Sequence, residues 1–122
     1  MRRSKEKPLV WLGQSRKDLS ALPEPVVRRF GYALHLAQHG EQHPDAKPLH
    51  GFGGAGVLEV VADDRDGTYR AVYTVRLRHA VYVLHVFQKK SKSGTGTPKT
   101  DMDLILARLK VAQKSAEEMN DE

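Results

Sequence analysis

Apolar residues form short runs, or alternate with polar ones, along three stretches of the chain, and this pattern predicts three β-strands. The stretches are residues 57–62, 68–77 and 81–89, which are rich in Val, Tyr and Leu. Asp66-Gly67 lies between the first two stretches and is typical of a hairpin turn. A further strand is expected earlier in the chain, over the apolar residues 8–12.

Apolar residues spaced three or four positions apart predict three helices. The first is short and begins at Ser15, in a sequence that resembles a capping box. The second begins near Pro25 and ends at Gly40, and the third follows Thr97-Pro98. The apolar positions of the last two helices are Leu22, Val26, Phe30, Ala33, Leu34 and Ala37, and then Met102, Ile105, Leu109, Ala112 and Ala116.

The resulting order, β-α-α-β-β-β-α, predicts an α+β fold. We expect a mainly antiparallel four-stranded sheet with the helices packed on one face. The 122 residues suffice for one domain and not for two. We therefore interpret residues 1–122 as a single domain whose ends, residues 1–7 and 117–122, are flexible.

The composition narrows the class of protein. There is no cysteine, which excludes disulfides and thiolate ligands and fits a cytoplasmic location. The longest apolar run is far shorter than the ~20 residues of a membrane span, so we expect no membrane partner.

Positive charge is concentrated in one part of the chain. The formal net charge is +5, but residues 1–116 carry 20 basic and 11 acidic side chains, a net charge of +9. Residues 65–99 hold eight Lys and Arg side chains and one acid, Asp66. Such a surface is typical of proteins that bind a polyanion or an acidic protein, and a merely soluble basic surface explains the charge equally well.

Strand alternation sorts the side chains of the predicted sheet onto two faces. We assume that Arg65 pairs with Thr68 at the first turn and that Arg78 pairs with Val81 at the second. The core face then contains Leu58, Val60, Ala71, Tyr73, Val75, Leu77, Tyr82, Leu84 and Val86. The opposite face contains Glu59, Arg70, Thr74, Arg76, His85 and Lys89, together with Val61, Val72, Val83 and Phe87.

This second face predicts an anion site. The assumed register sets Arg70 opposite Lys89, and two opposed cations destabilise a sheet unless an anion joins them. A slip of one residue would put Lys90 in the place of Lys89, so both lysines are retained. Arg70 would bind phosphate oxygens, a crowded lysine would act as an acid or base, and His85 would take the other proton-transfer step.

Simpler interpretations stand beside this one. Glu59 would orient a cation of the site, or it would only form salt bridges to the arginines of a solvated face. His85 would also fit a partly buried structural histidine. His35 and His39 are four residues apart, but the sequence shows no third ligand, so we expect no metal site.

Several short motifs between roughly Pro8 and Lys110 carry a family resemblance. They are Ser15-Arg16-Lys17-Asp18-Leu19, Gly31-Tyr32-Ala33-Leu34 with Gln38-His39-Gly40, Tyr69-Arg70-Ala71-Val72-Tyr73, His85-Val86-Phe87-Gln88-Lys89-Lys90-Ser91-Lys92 and Thr97-Pro98-Lys99. Together they resemble the HigB-type, phage-derived branch of the RelE/ParE toxin superfamily.

The resemblance implies a RelE-like fold and the toxin of a type II toxin–antitoxin pair. Such toxins cleave mRNA on the ribosome by attack of a 2′-hydroxyl on the adjacent phosphate, with no metal or small-molecule cofactor. The implied partners are a helix-turn-helix antitoxin, the ribosome and mRNA. The implied catalytic residues are Arg70, Lys89, Lys90, His85 and Glu59, and we assign RNA binding to Arg76, Lys92, Lys47 and Phe87.

The sequence also departs from this family. Glu59 is followed by Val60 and Val61, where many relatives have an arginine close behind the glutamate. No tyrosine follows the last strand, and Gly94-Thr95-Gly96 lengthens the lysine-rich loop between that strand and the last helix. Two alternatives stay open: a ParE-like toxin that inhibits gyrase without cutting RNA, and a non-catalytic RNA-binding module.

Overall fold

The computed structural model describes residues 6–52, 54–89 and 97–120. Eight elements follow one another in chain order: β1 (Leu9–Trp11), α1 (Ser15–Ser20), α2 (Glu24–Gln38), β2 (Lys47–Pro48), β3 (Val57–Asp64), β4 (Gly67–Thr74), β5 (Val81–Lys89) and α3 (Lys99–Asn120). The α+β class is confirmed, and the predicted helices and strands all occur. No helix within the described ranges is long and apolar enough to cross a membrane.

The sheet has five strands in the order β1-β5-β4-β3-β2, so the prediction of four strands is wrong. The missed strand is β2, which has two residues and pairs with β3 at the edge of the sheet. Its Pro48 has no backbone N–H to donate, which an edge strand tolerates and a central strand does not. β1 runs parallel to β5, and the other pairs are antiparallel.

Helices cover both faces of the sheet, which corrects the expectation that they pack on one face. The buried stripe of α2 packs with side chains of β3 and β4 on one face, together with Leu19 of α1. The stripe of α3 packs on the opposite face, against Val72, Tyr82 and Leu84. α3 therefore covers the apolar part of the face that was expected to be open.

Both hairpins pair two residues away from the predicted register. Thr68 lies opposite Asp63 rather than Arg65, and Arg70 lies opposite Phe87 rather than Lys89. A shift of two residues by itself moves no side chain to the other face, because the side-chain period of a strand is two. Arg70 and Lys89, however, do not lie opposite each other.

A β-bulge in β5 exchanges the two faces partway along that strand. Val72 pairs with His85 whereas Tyr73 pairs with Val83, which leaves Leu84 as an extra residue. Beyond the bulge, Val83 faces α1 and α2, while Tyr82 faces α3 together with Leu84. The prediction that Tyr82 and Leu84 share a face with Tyr73 is therefore wrong.

Side chains from two helices bind the backbone at this bulge. Ser15 is fully buried, and its hydroxyl donates to the carbonyl of Val83 over 3.2 Å. It makes no capping hydrogen bond, since Gln14 is the N-cap residue of α1. From the other face, Arg108 of α3 donates to the carbonyl of Leu84 over 2.8 Å. The bulge therefore joins α1, β5 and α3.

Parts of both predicted flexible ends fall within the described ranges. The backbone N–H of Lys7 donates to the carbonyl of Gln38 over 3.0 Å, and residues 117–120 continue α3. Residues 1–5 and 121–122 lie outside the described ranges, so the single domain with flexible ends stays a prediction.

Candidate functional site

Two rows of side chains cross the sheet on the face that α3 covers. Glu59, Val72 and His85 form one row across β3, β4 and β5, and Val61, Arg70 and Phe87 form the next. The start of α3 lies over these rows. We call the six residues Glu59, Arg70, His85, Phe87, Thr97 and Asp101 the polar cluster.

Arg70 and Glu59 form a buried ion pair. Nη1 of Arg70 donates to Oε1 of Glu59 over 3.0 Å and to Oγ1 of Thr97 over 3.3 Å. The two charged side chains are only 10% and 11% exposed. The salt bridge anticipated for a solvated face therefore exists, but it is enclosed. Removal of one partner would leave the other charge buried, which typically costs about 3–5 kcal/mol.

His85 forms a second polar pair, with Asp101 in the first turn of α3. Nε2 of His85 lies 2.7 Å from Oδ1 of Asp101, and the imidazole is 9% exposed. Because a carboxylate only accepts hydrogen bonds, Nε2 carries the proton of this contact. Nδ1 is buried and has no hydrogen-bond partner among the described residues. The carboxylate thus selects which ring nitrogen of a neutral imidazole keeps its lone pair.

Phe87 completes this arrangement by stacking on the His85 ring. The ring centroids are 4.4 Å apart and the planes are inclined by 15°. His85 and Phe87 face the same side of β5 because they are two residues apart. The stack on Phe87 and the contact with Asp101 together hold the imidazole against the sheet.

A groove of about 640 Å³ opens beside the polar cluster. It is lined by the end of α1 and the following turn, by residues 85–88 of β5, and by the residues around the start of α3. His85, Phe87 and Asp101 all line it, and Asp18 adds a second carboxylate. The groove is thus the place where a ligand would meet the His85–Asp101 pair.

The other predicted residues are distributed around the sheet. Lys89 is half-buried opposite Thr68, one row beyond Arg70. Lys47 is exposed on β2 and lies directly opposite Glu59, at the edge of the sheet. Lys90 and Lys92 fall outside the described residues, so their predicted roles stay predictions.

Arg76 is not brought into the polar cluster. It follows the end of β4, and its Nη1 donates to the carbonyl of Gly54 over 2.7 Å. Its side chain covers Gly56, which has a positive φ of +79°, and a Cβ at Gly56 would lie 2.4 Å from Arg76 Cγ. Arg76 therefore holds the loop between β2 and β3.

Sequence reasoning missed two members of the cluster, Thr97 and Asp101. An acidic residue in the first turn of a helix is favoured by the helix dipole, so Asp101 has an ordinary local explanation. Nothing in the local sequence connects it with His85, sixteen residues earlier. Only the packing of α3 across the sheet brings the two side chains together.

The fold and the site together define a class: a small α+β domain whose sheet carries a buried Arg–Glu pair and a His–Asp pair beside a groove. The family described as "Phage derived protein Gp49-like (DUF891)" matches residues 17–110. The chain belongs to this family.

The toxin–antitoxin complex RelBE2 from Mycobacterium tuberculosis contains a chain that is 23% identical to this one. The match covers 75% of this chain and 100% of that one, with a TM-score of 0.46. No curated protein matches the chain.

Proposed function

We propose that this protein is the toxin of a type II toxin–antitoxin pair, of the HigB type, and that it cleaves ribosome-bound mRNA. The motifs quoted above support the toxin assignment. The observation that carries the nuclease assignment is the His85–Asp101 pair beside the groove. A protein that only blocks its target needs no group to transfer protons, whereas cleavage through a 2′-hydroxyl needs a base and an acid.

In this proposal His85 exchanges protons with the RNA and Asp101 positions it. With the Nε2 proton directed at Asp101, Nδ1 is the atom that takes a proton from the 2′-hydroxyl. The Asp101 carboxylate then stabilises the imidazolium that forms, as the aspartate does in a Ser-His-Asp triad. Because Nδ1 is buried, the imidazole must leave its stack on Phe87 and turn toward the groove when RNA binds.

Arg70 supplies the positive charge for the phosphate. Negative charge develops on the phosphate oxygens as the 2′-oxygen attacks, and a nearby guanidinium stabilises it. Glu59 and Thr97 orient the Arg70 side chain through Nη1. Substrate binding must draw the guanidinium toward the groove and lengthen its contact with Glu59, since the pair is enclosed in this conformation.

Basic residues around the sheet hold the RNA backbone. Lys89 at the end of β5, and Lys90 and Lys92 that follow it in the sequence, are proposed to contact phosphates and to complete the acid–base set. Lys47 extends the contact along the sheet edge, and Phe87, once released from His85, stacks on a base. Arg76 contributes only charge, because its side chain is bonded to the Gly54 carbonyl.

A second candidate function is inhibition of gyrase by a toxin that does not cut RNA. The enclosed Arg70–Glu59 pair favours it, because two opposite charges that satisfy each other are not available for substrate. In that case the polar cluster stabilises the start of α3 and the antitoxin is the same kind of partner.

Brief induction in bacteria, followed by primer extension on mRNA, separates these functions. We expect new 5′ ends within coding regions for the wild type, and none for His85→Ala. His50→Ala is the matched control, because His50 is exposed and lies outside the groove. Intact mRNA together with relaxed or cleaved plasmid DNA would instead identify a gyrase inhibitor.

A further inference from the structure

A third group of side chains lies away from the polar cluster, where the segment before β1 passes the end of α2. It consists of Glu6, His35 and His39, whose ligand atoms all lie within 4.8 Å of one another. We propose that these three residues bind a divalent transition-metal ion, with Zn²⁺ as the natural occupant. The site is independent of the proposed nuclease function.

The helix places the two histidines on one face. His35 and His39 are four residues apart, and their ring centroids are 4.5 Å apart. Their ring nitrogens can therefore reach one ion from the same side of the helix. The sequence reveals this pair and not a third ligand, because Glu6 is nearly thirty residues earlier.

Two hydrogen bonds fix the third ligand beside the histidines. The Lys7 backbone N–H donates to the Gln38 carbonyl over 3.0 Å, and the Gln38 side-chain amide donates to the Lys7 carbonyl over 2.7 Å. Gln38 directly precedes His39, so Glu6 is held next to it. Oε2 of Glu6 lies 4.0 Å from Nε2 of His39. The position of Glu6 is thus set by the backbone and not by chance contact of two long side chains.

One neighbouring cation is held away from the proposed ligands. The ammonium group of Lys7, the residue after Glu6, donates to the carbonyl of Leu77 over 3.3 Å. The Lys7 ammonium therefore does not pair with the Glu6 carboxylate. All three side chains are exposed or half-buried, so an ion can enter from solvent without any opening of the fold.

Two imidazoles and one carboxylate form a ligand set that Zn²⁺ accepts, with water in the remaining position. Tetrahedral coordination at bond lengths of about 2.0–2.2 Å needs ligand atoms about 3.4 Å apart. The 4.0 Å between Glu6 and His39 closes to that value by rotation of exposed side chains. Hard ions such as Mg²⁺ are disfavoured, because they prefer oxygen ligands.

A bound ion would fasten the segment before β1 to the end of α2. Binding to the folded state alone stabilises it by mass action, so the melting temperature should rise with metal concentration. The effect requires all three ligands, which links a stability measurement to the geometry.

The test is titration of the full, untagged chain, made by cell-free synthesis, with ZnCl₂ in a calorimeter. We expect one ion per chain, and a loss of affinity of about tenfold or more in each of His35→Ala, His39→Ala and Glu6→Gln. His50→Ala, another exposed histidine of the chain, should bind as the wild type does. Thermal melts with and without ZnCl₂ should show a rise for the wild type and for His50→Ala only.

Three results would overturn the site. The first is no binding of Zn²⁺ to the wild type at micromolar to millimolar concentrations. The second is a loss of affinity in His50→Ala as large as that in His35→Ala, which would indicate scattered surface binding. The third is binding by Glu6→Gln as tight as that of the wild type, which would reduce the site to the two helical histidines and remove Glu6 from it.

Discussion

The two faces of the sheet differ in the polar groups that they bury. The face under α1 and α2 is almost wholly apolar, and the hydroxyl of Tyr73, which is fully buried there, has no hydrogen-bond partner among the described residues. The face under α3 is apolar along most of the helix and polar at its start, where Arg70 pairs with Glu59 and His85 with Asp101. The first face thus buries almost only apolar side chains, whereas the second encloses two polar pairs.

The largest expected effect is the loss of stability on breaking the enclosed ion pair between Arg70 and Glu59. Arg70→Ala leaves the Glu59 carboxylate buried without its cation and should lower the free energy of unfolding by about 3–5 kcal/mol. Urea unfolding of the purified variant measures the loss.

The double variant Arg70→Ala, Glu59→Ala is the matched control, because it removes both charges and should regain most of the stability. It also separates folding from chemistry. If this variant folds and still arrests growth, Arg70 does not stabilise the phosphate; if Arg70→Ala alone unfolds at the urea concentration of the wild type, the pair contributes no stability.

The next effect concerns the His–Asp pair. Asp101→Asn keeps the size of the side chain and an acceptor for Nε2–H, but it cannot stabilise an imidazolium. RNA cleavage should fall about 100-fold or more, equivalent to about 2.7 kcal/mol in the barrier, with little change in stability. Quantitative primer extension after induction measures the loss.

Asp103→Asn serves as the comparison for this variant, since Asp103 lies two residues further along α3 and is exposed in an ion pair with Lys99. Equal cleavage by both variants would remove Asp101 from the mechanism.

The buried Tyr73 of the apolar face predicts that the free energy of unfolding falls at alkaline pH. Burial raises the pKa of Tyr73 from 10.0 to about 12. The unfolded chain therefore releases this proton first, and the stability that Tyr73 contributes below pH 10 is lost as the pH rises toward 12. The loss should amount to about 1.4 kcal/mol per pH unit in that window.

Tyr73→Phe isolates this effect from the other groups that titrate at high pH. The variant should be more stable than the wild type above pH 10, and the gap should widen with pH. At neutral pH it should equal or exceed the wild type, because it removes an unsatisfied buried hydroxyl. A constant gap across pH 9–11 would contradict the raised pKa.

The smallest expected effect is a loss of stability at the β-bulge of β5. Ser15→Ala removes the hydroxyl that donates to the Val83 carbonyl, which still accepts from the Leu12 amide over 3.0 Å. The expected loss is about 1 kcal/mol. Ser20→Ala removes an exposed hydroxyl that bonds within α1, and should cost less. Equal losses would show that the bulge does not depend on Ser15.

The sequence by itself determined the described elements of this protein, except the two-residue strand β2. The apolar stripes of α2 and α3 and the bounds of β5 follow from local spacing, which is a property of a few neighbouring residues. The membership of Glu59, Arg70 and His85 on one sheet face follows in the same way, since a register shift of two residues leaves the faces unchanged.

Only the tertiary structure decided how these elements meet. The bulge in β5, the placement of α3 on the second face and the contact between Asp101 and His85 depend on packing between segments far apart in sequence. The same holds for Glu6 beside His35 and His39. Local patterns cannot specify these contacts, because their free energy comes from side chains that become neighbours only once the sheet and helices have assembled.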